Sequence, residues 1–274
     1  MNSRADLHVH SRHSDRPAEW FLRRIGAPES FMEPEDIYRR CRDRGMDFVT
    51  ITDHNQIDGA LEISHLPGTF LSSEITTYFP EDGCKIHCLV YGISEKQFED
   101  IHRCRESIYQ LRDYLVTEGI LHSVAHPFFP VNGRLSAEHI EKLVVLFNRF
   151  EGLNASEHRR ATRLSRNVLA HIGPVKLAAL ADKHGIEPAG PRPWRKIFTG
   201  GSDDHSGAYL GSAFTLTPRA ESAEEFLRHL ADGRCGAKGT TGSSLRFAHA
   251  IYKIASDYYR DRFLDGARPK NHLL

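Results

Sequence analysis

The chain has 274 residues, of which 40% are hydrophobic and 26% charged, a composition typical of a soluble globular protein. Its 36 basic residues balance its 36 acidic residues, so no global charge would attract nucleic acid or an anionic membrane. No apolar run approaches the roughly 18 residues of a membrane span, and no signal-peptide pattern opens the sequence. The five cysteines are scattered without a CxxC pair, which predicts reduced thiols and a cytoplasmic protein.

Short apolar segments typical of β-strands recur along the chain. Seven strands are predicted over residues 5–10, 47–55, 69–76, 85–93, 120–127, 149–154 and 197–205. Helical patterns fall between many of them, and this alternation predicts parallel strand pairing in a closed (β/α) barrel. Without repeats or linkers, the chain is predicted to be one domain over residues 1–274, with a motif-bearing core at 5–212 and a C-terminal helical segment at 221–264.

The predicted helices have recognisable starts and stops. Pro34 stands at a first-turn position, and Gly45 supplies a C-terminal stop. Residues 95–118 are predicted as a single amphipathic helix. Pro174 is expected to divide the helical stretch 159–184. Further helices are predicted to begin at Ser136, Ser222 and Leu245.

The segment ADLHVHSRHSD, residues 5–15, crowds coordinating side chains into a strand-like pattern. His8 and His10 share one face, because successive side chains of a strand point to opposite faces. At about 3.3 Å per residue they lie roughly 7 Å apart, which suits two imidazoles that bind one ion. A polar edge strand with solvated histidines would show the same pattern.

Coordinating side chains also end several other predicted strands. The full set is His8, His10, His54, Glu74, His126, Asp203 and His205. In a (β/α) barrel the C-terminal ends of the strands carry the chemistry, whereas solvated polar residues would not concentrate there. Several imidazoles with carboxylates suit Zn²⁺, Mn²⁺ or Fe²⁺ better than Ca²⁺ or Mg²⁺. The ligands exceed the needs of one tetrahedral ion, which predicts two to three ions with Glu74 or Asp203 as a bridge.

The stretches DLHVHSRHSD, ITDHN, SVAHP and GSDDH, together with the lone Glu74, resemble the PHP (polymerase and histidinol phosphatase) family. The resemblance covers residues 5–212 and points to the small stand-alone phosphoesterases of that family. It implies a distorted (β/α)7 TIM-like barrel with a trinuclear metal site that hydrolyses phosphoesters. The implied ligands are His8, His10, Asp15, His54, Glu74, His87, His126, Asp203 and His205.

The assignments of Asp15 and His87 each have an alternative. Position 15 is His in some family members and Asp in others, and Asp15 fits that variation. His13 is its rival, and is predicted to be a loop residue. His87 lies early in its predicted strand, where a buried, hydrogen-bonded histidine is the alternative.

Substrate contacts are predicted on two segments that follow strands. Arg16 belongs to the long segment after the first strand, and Asn154, His158 and Arg159 follow the sixth. An arginine in this place can clamp phosphate oxygens. By contrast, residues 236–244, GAKGTTGSS, lack the Walker spacing and are predicted to be a plain loop.

Catalytic roles are assigned to three of the metal-ligand candidates. Asp203 is expected to tie neighbouring ions together. His126 or His205, if not bound to metal, is expected to protonate the leaving oxygen.

The predicted function is therefore a metal-dependent phosphoesterase, which uses a hydroxide between metals on a phosphomonoester, a nucleotide or a short oligonucleotide. Three alternatives remain. An amidohydrolase would show a carboxylated lysine and a lone late Asp, and a 5′–3′ exonuclease is disfavoured by the zero net charge. A non-catalytic PHP barrel should have lost ligands. No membrane partner is predicted, and the oligomeric state is left open.

Overall fold

The computed structural model describes residues 2–14 and 28–263. Its strands are β1 Asn2–Asp6, β2 Phe48–Val49, β3 Ser72–Phe79, β4 Cys84–Tyr91, β5 Leu121–Val124, β6 Arg149–Asn154, β7 Ile197–Gly201, β8 Ala213–Pro218 and β9 Gly236–Gly239. Its helices are α1 Pro34–Asp43, α2 Asp58–Glu62, α3 Glu95–Cys104, α4 Ile108–Thr117, α5 Ala137–Leu146, α6 Arg159–Ala170, α7 Pro174–His184, α8 Ala223–Ala231 and α9 Ser244–Phe263. The mixed α/β class predicted from the sequence is confirmed.

The strands form two sheets, with the orders β2-β1-β8-β9 and β3-β4-β5-β6-β7. The prediction of parallel pairing throughout is wrong, because β3–β4, β4–β5, β1–β8 and β8–β9 are antiparallel. The pairs β1–β2, β5–β6 and β6–β7 are parallel. Only a short turn separates β3 from β4, whereas a parallel connection needs a crossover of a dozen or more residues.

Isolated bridges connect the two sheets. Val49 pairs with Thr69 and His54 with Glu74, while Val9 pairs with Asp204 on the other side. In the described ranges only these isolated bridges, and no continuous ladder of hydrogen bonds, join the two sheets. Closure of a seven-stranded barrel is therefore not confirmed.

Several predicted elements change in length or type. Residues 95–118 form two helices, α3 and α4, because the Ser107 side chain accepts a hydrogen bond from Gln110 N and caps a new start. Pro174 begins α7, as the predicted division requires. The predicted loop at 236–244 is wrong over Gly236–Gly239, which pair with β8 as β9.

The core lies between the sheets and the helices around them. Ile75, Val124 and Phe150 of the five-stranded sheet belong to one buried cluster with Leu111 and Leu143 of the flanking helices. All five cysteines are free thiols, as predicted, and three of them are buried. No helix within the described ranges is long and apolar enough to cross a membrane.

Asp6, at the end of β1, joins segments from distant parts of the chain. Its carboxylate accepts hydrogen bonds from Ser202 N at 2.8 Å, Gly211 N at 2.7 Å and His8 N at 3.3 Å. Burial raises the pKa of Asp6 to about 7, although these N–H donors act in the opposite direction. The first strand is thereby held against the segment that follows β7, where further ligand candidates lie.

Candidate metal centre

The structure brings together eight of the nine predicted ligands, and Asp15 lies outside the described residues. The eight are His8, His10, His54, Glu74, His87, His126, Asp203 and His205. The first strand ends at Asp6, so His8 and His10 occupy the extended segment after it instead of the predicted strand. The imidazoles crowd closely, with the rings of His10 and His205 stacked 4.1 Å apart.

Glu74 lies at the middle of this cluster, and its side chain is 0% exposed. Five imidazole nitrogens contact its carboxylate: those of His8 at 3.0 Å, His10 at 3.2 Å, His54 at 3.1 Å, His87 at 2.8 Å and His126 at 3.1 Å. The first three contact Oε2 and the last two contact Oε1. Each oxygen thus faces a separate group of imidazole rings. A carboxylate that binds two ions, one through each oxygen, would need this arrangement.

Asp203 supplies a second carboxylate to the same cluster. Its Oδ1 lies 3.3 Å from His8 Nε2 and 3.4 Å from His10 Nε2. Both Asp203 and His126 have a positive φ, at 51° and 26°, which costs about 1–3 kcal/mol for a non-glycine residue. Such backbone strain clusters at functional sites, where the surrounding contacts hold it in place.

Glu29 belongs to the cluster, although no sequence motif pointed to it. It is buried, with one oxygen 3.5 Å from His54 Nε2 and the other 3.4 Å from His205 Nε2. These three residues and His10 form a group whose ligand atoms lie within 4.8 Å of one another. The described residues therefore supply a carboxylate that the sequence prediction did not include.

The acidic members of the centre remain charged at neutral pH. Burial would raise the pKa of Glu74, but the neighbouring histidines hold it well below its ordinary value. The same opposition holds the pKa of Asp203 well below normal and lowers that of Glu29 to about 2. These three carboxylates are therefore ionised and can serve as ligands of a cation.

The histidines divide into two groups by protonation. Burial lowers the pKa of His54 to about 3, and it also lowers that of His87. For His10 and His126 burial acts in the same direction, but Asp203 and Glu74 outweigh it and raise their pKa values to about 10 and about 9. Without a metal ion, protons on these rings balance the charge of the carboxylates.

The unsatisfied ring nitrogens fit a metal ion. His10 Nε2, His54 Nδ1, His87 Nδ1 and His205 Nε2 are buried and have no hydrogen-bond partner of acceptable geometry. Some nevertheless lie close to carboxylate oxygens, as ligands of a shared cation do. Histidine and carboxylate ligands together suit a divalent transition metal, so the residues present fit such a centre.

The ring nitrogen of His10 that faces away from the centre is also fixed. His10 Nδ1 lies 2.9 Å from Ser14 Oγ, which donates to Asp53 Oδ1 at 3.0 Å. Partners of this kind orient a ligating imidazole and set its tautomer. His13 instead contacts Glu62 at 2.9 Å, which fits its predicted place in a loop.

The predicted substrate residues have different surroundings. Arg16 lies outside the described residues. The side chain of Asn154 is buried and donates to Glu151 and Asp203, so it contacts a ligand candidate and does not face solvent. His158 caps α6 and Arg159 is its first residue, and both are exposed.

Sequence comparison places a known family over the later part of the chain. The family model described as PHP-associated matches residues 192–235, which contain Asp203 and His205. An uncharacterized protein of Methanocaldococcus jannaschii is 37% identical over 79 residues. That alignment covers 27% of this chain and 44% of the relative, so the chain spans less than half the length of the curated protein it matches.

Similar folds occur among solved structures. PsfC from Pseudomonas syringae superposes with a TM-score of 0.53 at 14% identity and covers 95% of this chain and 98% of that one. An amidohydrolase from Chromobacterium violaceum, solved with sulfate and no metal, gives 0.44 at 16% identity over 85% and 97%. A protein from Bifidobacterium adolescentis, provisionally described as a metal-dependent phosphoesterase, gives 0.42 at 17% identity over 82% and 95%.

The likeness to PsfC shows a shared fold, and the other two superpose more loosely. The PHP-associated match covers the segment that brings Asp203 and His205 to the histidine cluster. Over residues 192–235 the chain is therefore similar to the PHP-associated family.

Proposed function

We propose that this chain is a metal-dependent phosphoesterase. The observation that carries the proposal is Glu74, a fully buried carboxylate that five imidazoles contact. This ligand set suits two to three ions of zinc, manganese or iron, with Glu74 and Asp203 as bridges. When bound, such ions lower the pKa of water and neutralise charge on phosphoryl oxygens.

Three overlapping groups would hold the ions. They are His8 and His10 with Asp203, Glu74 with His54 and His87, and Glu29 with His10, His54 and His205, while His126 joins His8 and Glu74. Glu29 thus supplies a carboxylate to the third group, and the assignment of Asp15 stays a prediction. The proposal includes a distorted (β/α)7 barrel in which all three groups lie at the same end of the strands. The isolated bridges between the two sheets support it.

The charge of α6 supports an anionic substrate. Its four arginines, Arg159, Arg160, Arg163 and Arg166, have no acidic neighbour within the helix. None of the four makes an ion pair with any residue in the described ranges. Two of them stand in the first turn, where positive charge opposes the helix dipole, and Arg159 repels Arg163 one turn later. A bound anion would relieve both effects.

We infer a small phosphomonoester, a nucleotide or a short oligonucleotide as the substrate, with Arg159 and His158 at its phosphate. His205 or His126, whichever ring is not bound to an ion, would protonate the leaving oxygen. Asn154 would act indirectly, through its hydrogen bond to Asp203. A cytoplasmic location and the absence of a membrane partner stay predictions.

Metal removal tests the proposal directly. We expect two to three divalent ions per chain by elemental analysis, and hydrolysis of phosphomonoesters, cyclic nucleotides or short oligonucleotides that stops with a chelator and returns with Mn²⁺ or Zn²⁺. Glu74→Gln should lose both metal and activity because it removes the shared carboxylate, whereas the exposed Glu221→Gln should lose neither. Hydrolysis at the full rate by metal-free protein would contradict the proposal.

Glu29→Gln should lower the metal content by about one ion per chain, because it removes the carboxylate that contacts His54 and His205. Glu33→Gln is the matched control, since Glu33 is half exposed and contacts Arg12. Elemental analysis after dialysis measures both variants. An unchanged metal content in Glu29→Gln would return the third site to Asp15.

Metal binding should release more than one proton per chain at neutral pH. His10 and His126, whose pKa values are raised to about 10 and about 9, are protonated without metal and must become neutral to bind it. The apparent affinity for Zn²⁺ should therefore rise with pH up to about 10. Calorimetry in two buffers of different ionisation enthalpy counts the protons, and an affinity independent of pH would disprove this coupling.

Arg159→Ala should lower kcat/KM for the best phosphate substrate by about 10–150-fold, because an arginine bonded to phosphate oxygens contributes roughly 1.5–3 kcal/mol. Its metal content should not change. The control is Arg195→Ala. Arg195 is exposed and precedes β7, whereas Asp203 and His205 follow that strand, so Arg195 lies at the end of β7 away from the cluster. Steady-state kinetics that match wild type would make Arg159 an ordinary solvated residue.

A further inference from the structure

Strand β6 is irregular at the point where it carries Glu151. Its register with β7 shifts between Glu151 and Leu153, which marks a β-bulge at Gly152. A Cβ atom on Gly152 would lie 2.6 Å from the ring of Phe198, so no larger residue fits there without a shift. Bulges next to functional sites re-aim a side chain. Glu151 is accordingly buried beside the cluster, with 2% of its surface exposed.

Both oxygens of Glu151 are occupied by N–H donors. Oε1 accepts from His8 Nδ1 at 2.9 Å, and Oε2 accepts from the backbone N of His126 and from Asn154 Nδ2, each at 2.9 Å. Asn154 Nδ2 also donates to Asp203 Oδ2 at 3.0 Å. One carboxylate therefore contacts two metal-ligand candidates directly and reaches a third through an amide.

These contacts fix the tautomer of His8 and the backbone conformation of His126. A carboxylate only accepts hydrogen bonds, so His8 must carry a proton on Nδ1, which leaves Nε2 free to bind a cation. That Nε2 lies 3.0 Å from Glu74 and 3.3 Å from Asp203, inside the cluster. The hydrogen bond from the backbone N of His126 to Glu151 holds His126 at a φ of 26°, a backbone conformation that residues other than glycine rarely adopt.

We propose that Glu151 is a positioning residue of the metal centre: it fixes the tautomer of His8 and the strained backbone of His126, and through Asn154 it orients Asp203. The proposal rests on metal binding by the cluster and not on phosphoesterase activity. Glu151 is not itself a ligand, because its oxygens are already engaged. The sequence RFEGLN reads as an ordinary buried strand, and only the bulge reveals the role of its glutamate.

The test is Glu151→Gln, which keeps the shape but replaces one acceptor oxygen with an NH₂ group. Zn²⁺ affinity, measured by competition with a chromophoric chelator, should fall by about 10–100-fold for at least one ion. The ion at Glu29, His54 and His205 should be retained, because none of these residues contacts Glu151. With a substrate present, kcat should fall while KM stays unchanged.

The control is Glu141→Gln. Glu141 accepts from His184 Nε2 at 2.9 Å, so this variant removes another carboxylate–imidazole pair away from the centre. It should bind Zn²⁺ as wild type does. Wild-type Zn²⁺ affinity at every site of Glu151→Gln, or an equal loss in both variants, would overturn the proposal.

A second measurement needs no variant, in case Glu151→Gln does not fold. Nitrogen-15 NMR of the Zn²⁺-loaded wild-type protein should show His8 protonated at Nδ1. A proton at Nε2 would overturn the proposal. Because neither experiment requires a substrate, the proposal can hold even if no phosphoester is hydrolysed, whereas a wild-type protein that binds no Zn²⁺ would defeat both this proposal and the proposed function.

Discussion

The structure depends on the burial of one carboxylate. Glu74 is fully removed from water, and an isolated buried charge is so costly that it must be paired or bound to a cation. Imidazoles surround it because the segments that follow β1, β2 and β5, together with strand β4, deliver histidines to the same place. The two sheets are joined by bridges at this point, with His54 paired to Glu74 itself. Glu74 therefore belongs both to the contact between the two sheets and to the centre of the histidine cluster.

Much of this could be predicted from the sequence, because motif and strand pattern are local. His54, His126 and Asp203 do lie just beyond strands, and all three are in the cluster. Strand direction was predicted less well, although the evidence was present: eight residues between two predicted strands cannot make a parallel crossover. The seven-stranded barrel was inferred from that parallel pairing and from the family resemblance, and its closure stays a prediction.

The remaining members of the site leave no local signal. No strand or helix pattern marks Glu29 in the sequence, and only the folded structure brings its carboxylate to His54 and His205. Glu151 sits in a strand whose bulge depends on the neighbouring Phe198. Asn154 looked like a substrate contact because it ends a strand, but its partners come from elsewhere in the chain. Residues that orient ligands are defined by tertiary contacts, which single-sequence patterns do not contain.

The bonds of Asp6 have a consequence for how the protein is made. Asp6 accepts hydrogen bonds from residues 196 and 205 positions later in the chain, and β1 pairs with β8 over a similar separation. Contacts this distant in sequence close large loops and form slowly. A nascent chain emerges from the ribosome with His8 and His10 first, and it must wait for Asp203 and His205 before the cluster is complete. A metal ion that needs Asp203 or His205 as a ligand can therefore be bound only after these two residues have been synthesised.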